Sequence, residues 1–110
     1  MDVELQIDDV RSVDGSRAAV VVRCLRGPAR IGARFHRIVG SGAPIDLRLA
    51  GIEFYRRPVE QLDPAHTALV DLVGSGTAEL RTGDTARGWQ TIQGSNPPAS
   101  MPFQPSVRTG

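Results

Sequence analysis

The sequence predicts an all-β fold, a small antiparallel barrel or sandwich, and three observations predict it. Apolar and polar residues alternate with a period of two in Val3-Glu4-Leu5-Gln6-Ile7-Asp8, the pattern of a strand with one buried face. Short apolar and β-branched runs recur between frequent Gly, Pro, Asp and Ser clusters. Almost no stretch carries the 3.6-residue period of an amphipathic helix. At 110 residues the chain has the length of one domain. It can bury roughly two-thirds of its unfolded surface and so fold without disulfide or metal.

Val3–Asp8 is the first expected strand, and Ser12–Ser16, containing Asp14-Gly15, the first turn. Ala18–Leu25 is an apolar strand interrupted at Arg23 and ended by Gly27-Pro28, since proline donates nothing to a ladder. Ile31-Gly32 makes a corner, Phe35–Val39 a strand and Gly40–Pro44 a loop. Ile45–Tyr55 is the longest strand, and it changes phase. Ile45, Leu47 and Leu49 share one parity, Ile52 and Phe54 the other. A bulge at Gly51 would turn both sets inward and bend the strand as barrel closure requires. Pro58 stops that run, Leu62–Ala65 is a turn, and His66–Val73 is a strand with Ala68, Val70 and Leu72 on one face. Thr77–Leu80 fits one helical turn capped by Ser75 or Thr77. Gly83-Asp84 closes it, and Thr85–Gln93 is the last strand. Residues 94–110, with Pro97, Pro98, Pro102 and Pro105, read as a disordered or extended tail outside a barrel domain of residues 1–93.

Composition removes several function classes. All thirteen basic residues are Arg, so no lysine serves a phosphate loop, a Schiff base or a general base. The single cysteine, Cys24, sits in an apolar run and reads as a small core hydrophobe. No apolar run approaches the roughly 20 residues of a membrane span, and the acidic start Met1-Asp2-Val3-Glu4 is unlike a signal peptide. The expected location is cytoplasmic, with no membrane partner.

Charge is segregated along the chain. No acid lies between Asp14 and Asp46, while Arg17, Arg23, Arg26, Arg30, Arg34 and Arg37 do, so that segment carries +6 and the remainder −5. The block either meets phosphates or an acidic protein face, or scatters over different faces once the strands form.

Catalytic constellations are lacking. His36 and His66 have no Cys or carboxylate at metal-ligand spacing, and neither Ser41 nor Ser75 lies in a Gly-x-Ser-x-Gly elbow. Gly40-Ser41-Gly42 and Gly74-Ser75-Gly76 read as turns, and Asp8-Asp9 as a solvated corner. The expectation is a non-enzymatic binding module without cofactor or metal. Tyr55-Arg56-Arg57 joins an aromatic to two guanidinium groups, which suits base stacking and phosphate neutralisation, or simply a solvated strand end.

Gly51-Ile52-Glu53-Phe54-Tyr55-Arg56-Arg57, then Leu72-Val73-Gly74, then Leu80-Arg81-Thr82-Gly83-Asp84, follow in an order and spacing that resemble the β-barrel domain II of translational GTPases such as elongation factor Tu. Upstream, Val20-Val21-Val22-Arg23, Arg26-Gly27, Ile31-Gly32 and Phe35 extend the likeness over residues 1–93. Val73 and Ala33 depart from it, standing where the family favours Arg and Asp. The resemblance implies a small closed or partly closed antiparallel barrel and an RNA, ribosome or tRNA-related partner. In that family a glutamate at the position of Glu53 lies beside the terminal adenosine of tRNA, and in related factors the barrel docks on ribosomal RNA. The candidate contact residues are Arg23, Arg26, Arg30, Arg34, Arg37, Glu53, Tyr55, Arg56 and Arg57. The alternative is a protein-interaction or regulatory module that keeps the barrel without RNA binding.

Neither GTP nor ATP should bind, because no Gly-rich loop here combines a helix N-terminus with a phosphate-holding lysine. Isothermal calorimetry should show no nucleotide binding; micromolar affinity would contradict this expectation.

Overall fold

In the computed structural model, which describes residues 2–83 and 89–98, the alternation beginning at Val3 carries on through strand β1, Asp2–Asp14. It turns directly into β2, Arg17–Arg26. The turn expected over Ser12–Ser16 shrinks to Gly15-Ser16, because Gly15 takes φ +60° and opens a two-residue hairpin loop. Left-handed backbone at the first central position suits the twist of the flanking strands. Three register shifts let this long ribbon curl.

The remaining strands are β3 (Ala29–Arg30), β4 (Arg34–Ile38), β5 (Asp46–Phe54), β6 (Arg57–Val59), β7 (Gln61–Leu62), β8 (Thr67–Ser75) and β9 (Gln90–Ser95). Their order is β4-β9-β1-β2-β8-β5-β6, and β4 also pairs with β5, so six antiparallel strands close a barrel while β6 returns along β5 as a hairpin. β3 and β7 form a separate two-stranded ribbon. The sequence pattern did not resolve β6, β3 and β7, since runs of two or three residues hold too little periodicity to read. Pro58 sits within β6, the edge position where a missing N–H is tolerated.

The barrel interior takes Val3, Leu5 and Ile7 from β1, and Val20, Val22 and Cys24 from β2. Phe35, Leu47, Leu49, Val70, Leu72 and Ile92 complete its most buried layer. The phase change in β5 is resolved at Ala50-Gly51, where the register with β8 slips between Leu49 and Gly51. Leu47, Leu49 and Ile52 are thereby all buried, and Phe54 packs half-buried against the same core. Burial also pushes the Cys24 thiol pKa up, favouring the protonated form.

Barrel closure depends on one row of residues. Val3 faces Gly94, Gly94 faces Phe35, Phe35 faces Leu47 and Leu47 faces Gly74. A Cβ at Gly94 would overlap the Arg34 carbonyl, and one at Gly74 would overlap the Asp46 carbonyl. Both glycines are therefore needed for the backbones to approach at the seam. Gly74 and Ser75, expected in a turn, instead end β8, and the left-handed conformation falls on Gly74 and Gly76.

Thr77–Glu79 forms a single 3-10 turn. Neither expected side-chain cap is made: Gly76 is the N-cap, and the Thr77 hydroxyl instead donates to the Gly15 carbonyl at 2.6 Å, tying this turn to the β1–β2 hairpin. Of the strand expected over Thr85–Gln93, residues 84–88 lie outside the described residues, as do Met101 and Phe103. The observed strand runs on through Gly94 and Ser95. Asn96 then accepts from the Arg30 N–H at 2.9 Å and donates to the Pro28 carbonyl at 2.7 Å, fastening the chain to the β3 corner.

Gly94→Ala should destabilise the fold by about 3 kcal/mol or more, since relief of the overlap must move backbone rather than a side chain. Gly42→Ala, at a position with open space around it, serves as the control and should change stability by less than about 0.5 kcal/mol. Urea denaturation midpoints check both.

Candidate functional site

Beyond its bulge, β5 stays paired with β8 as far as Glu53. On the strand's other side, Ile52, Glu53 and Phe54 pair with Val59, Pro58 and Arg57, leaving Tyr55-Arg56 as a two-residue loop. Both residues are left-handed, with φ 52° and 65°. A hairpin loop of this kind ordinarily uses Asn-Gly or Gly-Gly. With bulkier side chains the conformation costs about 1–2 kcal/mol per residue. Tyr55 is 85% exposed. Its ring meets Phe54 edge-on with centroids 4.5 Å apart. Phe54 in turn stacks on His66 at 5.4 Å and an interplanar angle of 16°.

These side chains line an open cleft of about 640 Å³ together with Ala65 and Thr67. Ala65 is the third described non-glycine residue with positive φ, at 74°. The other two are the hairpin residues across the cleft. The turn carrying Ala65 and His66 is pinned to β2 by the Ala65 N–H on the Cys24 carbonyl (2.8 Å) and the Cys24 N–H on the His66 carbonyl (2.9 Å). Strained backbone gathered around one cleft, with an exposed aromatic beside it, makes this cleft the candidate site.

Of the residues singled out in the sequence, four come to this hairpin. Tyr55 and Arg56 form its tip, Arg57 stands opposite Phe54, and Glu53 lies opposite Pro58. Glu53 lines a different cleft, of about 400 Å³, on the outer wall between β5 and β8. Arg23 stands in register with Thr67, at the rim of the aromatic cleft.

The remaining arginines of the acid-free segment divide between separate places. Arg26 faces Glu4, Glu4 faces Gln93 and Gln93 faces Arg37. Gln93 donates to Glu4 at 3.0 Å, with Arg26 at 3.9 Å from the same carboxylate. Arg30 lies on the β3–β7 ribbon opposite Gln61. Arg17 and Arg34 belong to another outer row, Arg17–Val73–Arg48–Arg34, in which Arg34 donates to both oxygens of Asp46 at 2.9 and 3.1 Å. Linear proximity missed Arg48 because it lies beyond Asp46. Reasoning from sequence also left Phe54, Ala65 and His66 out of the site. The available signal was a two-residue interval between strand runs that contains neither Gly nor Asn.

Among the described residues, no three His, Cys, Asp or Glu gather as a metal site, and no helix is long and apolar enough to cross a membrane.

No protein-family model matches the chain, and no curated protein sequence matches it. Solved structures do. The apo form of translation elongation factor SelB from Methanococcus maripaludis matches with a TM-score of 0.66 at 12% identity, over 86% of this chain. The same factor in complex with the GTP analogue GppNHp matches equally, with a TM-score of 0.66 at 12% identity over 86% of the chain. The chain spans 19% of the length of that factor. The closed barrel expected from the resemblance to translational GTPases is thus the observed fold.

The paired substitution Tyr55→Asn/Arg56→Gly should raise stability by about 1–2 kcal/mol, because it installs the residues that tolerate this turn. A chemical denaturation series checks this. A lowered midpoint would show that the Tyr55-Arg56 turn is not strained.

Proposed function

We propose that this barrel is a non-enzymatic RNA-contacting module of the translation machinery, and that it holds single-stranded RNA at the cleft beneath the Tyr55-Arg56 turn. The observation that carries the reading is that turn: an aromatic ring held exposed in unfavourable backbone, beside a stacked Phe54–His66 pair and between arginines. A nucleobase stacks on any aromatic face without regard to sequence, contributing about 1–3 kcal/mol per base. Arg56 and Arg57 on the hairpin, and Arg23 three strands away on β2, supply cations for the phosphates. Guanidinium suits this role because it pairs bidentately with phosphate and stacks on rings. The likeness in shape to a domain of a translation elongation factor supports placing the RNA in that machinery. Nothing in the cleft calls for bond breaking; the groups there stack, neutralise and orient.

Fluorescence anisotropy with short RNAs and a tRNA acceptor-end mimic, at two salt concentrations, tests the reading. Three phosphate contacts should give a log–log salt slope of about −2. Tyr55→Ser should weaken binding roughly five- to a hundredfold with little change in slope, the worth of one stacked base. Arg56→Gln/Arg57→Gln should flatten the slope to about −0.7. Arg30→Gln, on the separate ribbon, should leave binding unchanged. Absence of binding at low salt, or binding indifferent to the hairpin substitutions, would favour a protein-interaction module instead.

A further inference from the structure

The other face of the same hairpin has the opposite character. Its groove of about 400 Å³ runs along the outer wall over the β5 bulge. Val21, Leu69, Glu53 and Pro58 stand in one row across β2, β8, β5 and β6. Leu69 and Pro58 give the groove an apolar floor, and half-buried Val21 prolongs it. Glu53 stands between Leu69 and Pro58 in that row, and Asp71 lies opposite Gly51 at the bulge. Gly51 leaves a slot in front of Asp71: a Cβ there would come within 3.3 Å of the Asp71 carboxylate.

Some of the protein's acids are already paired with arginines. Glu4, Asp9 and Asp46 each lie within 4 Å of an arginine, as Arg26, Arg11 and Arg34 respectively. Glu53 and Asp71 have no ion pair or side-chain hydrogen bond among the described residues, and no arginine lines their groove. A phosphate backbone would be repelled here. A cation carried on an aliphatic stem fits both features, the stem lying over Leu69 and Pro58 and the head reaching the carboxylates. Strand addition to this edge is impeded because Pro58 has no N–H to donate.

We infer that the groove formed by Leu69, Pro58 and Gly51 between Glu53 and Asp71 is a docking site for a basic segment of a partner protein, anchored by an arginine or lysine side chain. The site is separate from the RNA cleft: the two share no lining residue, and Glu53 and Phe54 point to opposite sides of β5. Complementary charge of this kind guides partner choice and encounter more than it adds affinity.

The test is titration of the isotopically labelled chain with an acetylated, amidated peptide alternating arginine and leucine, followed by NMR. A matched peptide with citrulline in place of arginine removes the charge alone. Amide shifts should concentrate at Gly51, Glu53, Leu69 and Asp71, and the citrulline peptide should not produce them. Glu53→Gln/Asp71→Asn keeps the side-chain shapes and should weaken the arginine peptide about three- to tenfold, the worth of two exposed ion pairs. If the double variant fails to fold, Glu53→Gln alone, at an exposed position, carries the comparison. Tyr55→Ser should bind the peptide undiminished, which separates this site from the RNA cleft. Shifts scattered over the surface or centred on Tyr55, or undiminished binding by the folded amide variant, would overturn the inference. So would the same shifts on raising protein concentration without peptide, which would make a second copy the occupant.

Discussion

The seam where Phe35 meets Leu47 is the contact on which the rest of the barrel depends. The β4–β5 pairing consists of only two registered pairs, Phe35 with Leu47 and Arg34 with Arg48. The inner pair buries two large side chains, each contributing roughly 1.5–3 kcal/mol by removal from water. The outer pair sets two guanidinium groups opposite each other, an unfavourable arrangement in a ladder that Asp46 offsets by accepting from Arg34. Glycine on both sides lets the strands draw close enough for those inner side chains to meet. Without this closure β4 and β5 would be sheet edges, open to pairing with other chains.

A closed barrel with small radius forces its strands to bend, and β5 does so at Ala50-Gly51. That bend has two consequences at once. It turns Ile52 inward without losing Leu47 and Leu49, and it shifts the register in which the far end of the strand pairs with β8 while β6 pairs on its other side. The hairpin loop carries two left-handed non-glycine residues, whose combined cost of about 2–4 kcal/mol would unsettle an isolated three-pair ribbon. Here the ribbon grows from a strand anchored on both sides, by β8 and β4, so the barrel core holds the loop in place. Phe54, packed partly on the core and partly on His66, connects that anchor to the exposed Tyr55 ring.

Much of the barrel was legible in the sequence because its long strands bury one face. Val3–Ile7, Ala18–Cys24 and Ala68–Leu72 alternate as strands must, and the parity change between Leu49 and Ile52 disclosed the bulge from pattern alone. The short pairings were illegible: β3, β6 and β7 exist because closure brings their backbones together, not because of any local period. The turn at Gly15 was placed too early because Ser12 and Asp14, ordinary turn residues, are held in the ladder by Ala19 and Arg17 across from them. The site was legible only as a stretch, Glu53 to Arg57. Which face each of its members takes follows from the hairpin register, and His66 joins it through a turn that two backbone hydrogen bonds hold against β2.

Charge along this chain is a poor guide to charge in space, and the physical reason is the pleat. Arginines separated by three or four residues, such as Arg23 and Arg26 or Arg30 and Arg34, fall on different strands, corners or neighbours once the barrel closes. Arg48, excluded from the acid-free block, joins Arg17 and Arg34 in one outer row. At the hairpin the same rule produces a sharper division, because successive residues of a strand point to opposite sides. Glu53 faces the groove shared with Asp71, while Phe54 faces the stack with His66, one residue apart in sequence and on opposite faces of one ribbon. A chain with a net charge of only +1 can therefore place a groove with two carboxylates and an aromatic cleft beside arginines next to one hairpin. With so small a net charge, local geometry outweighs the overall field in what each surface attracts.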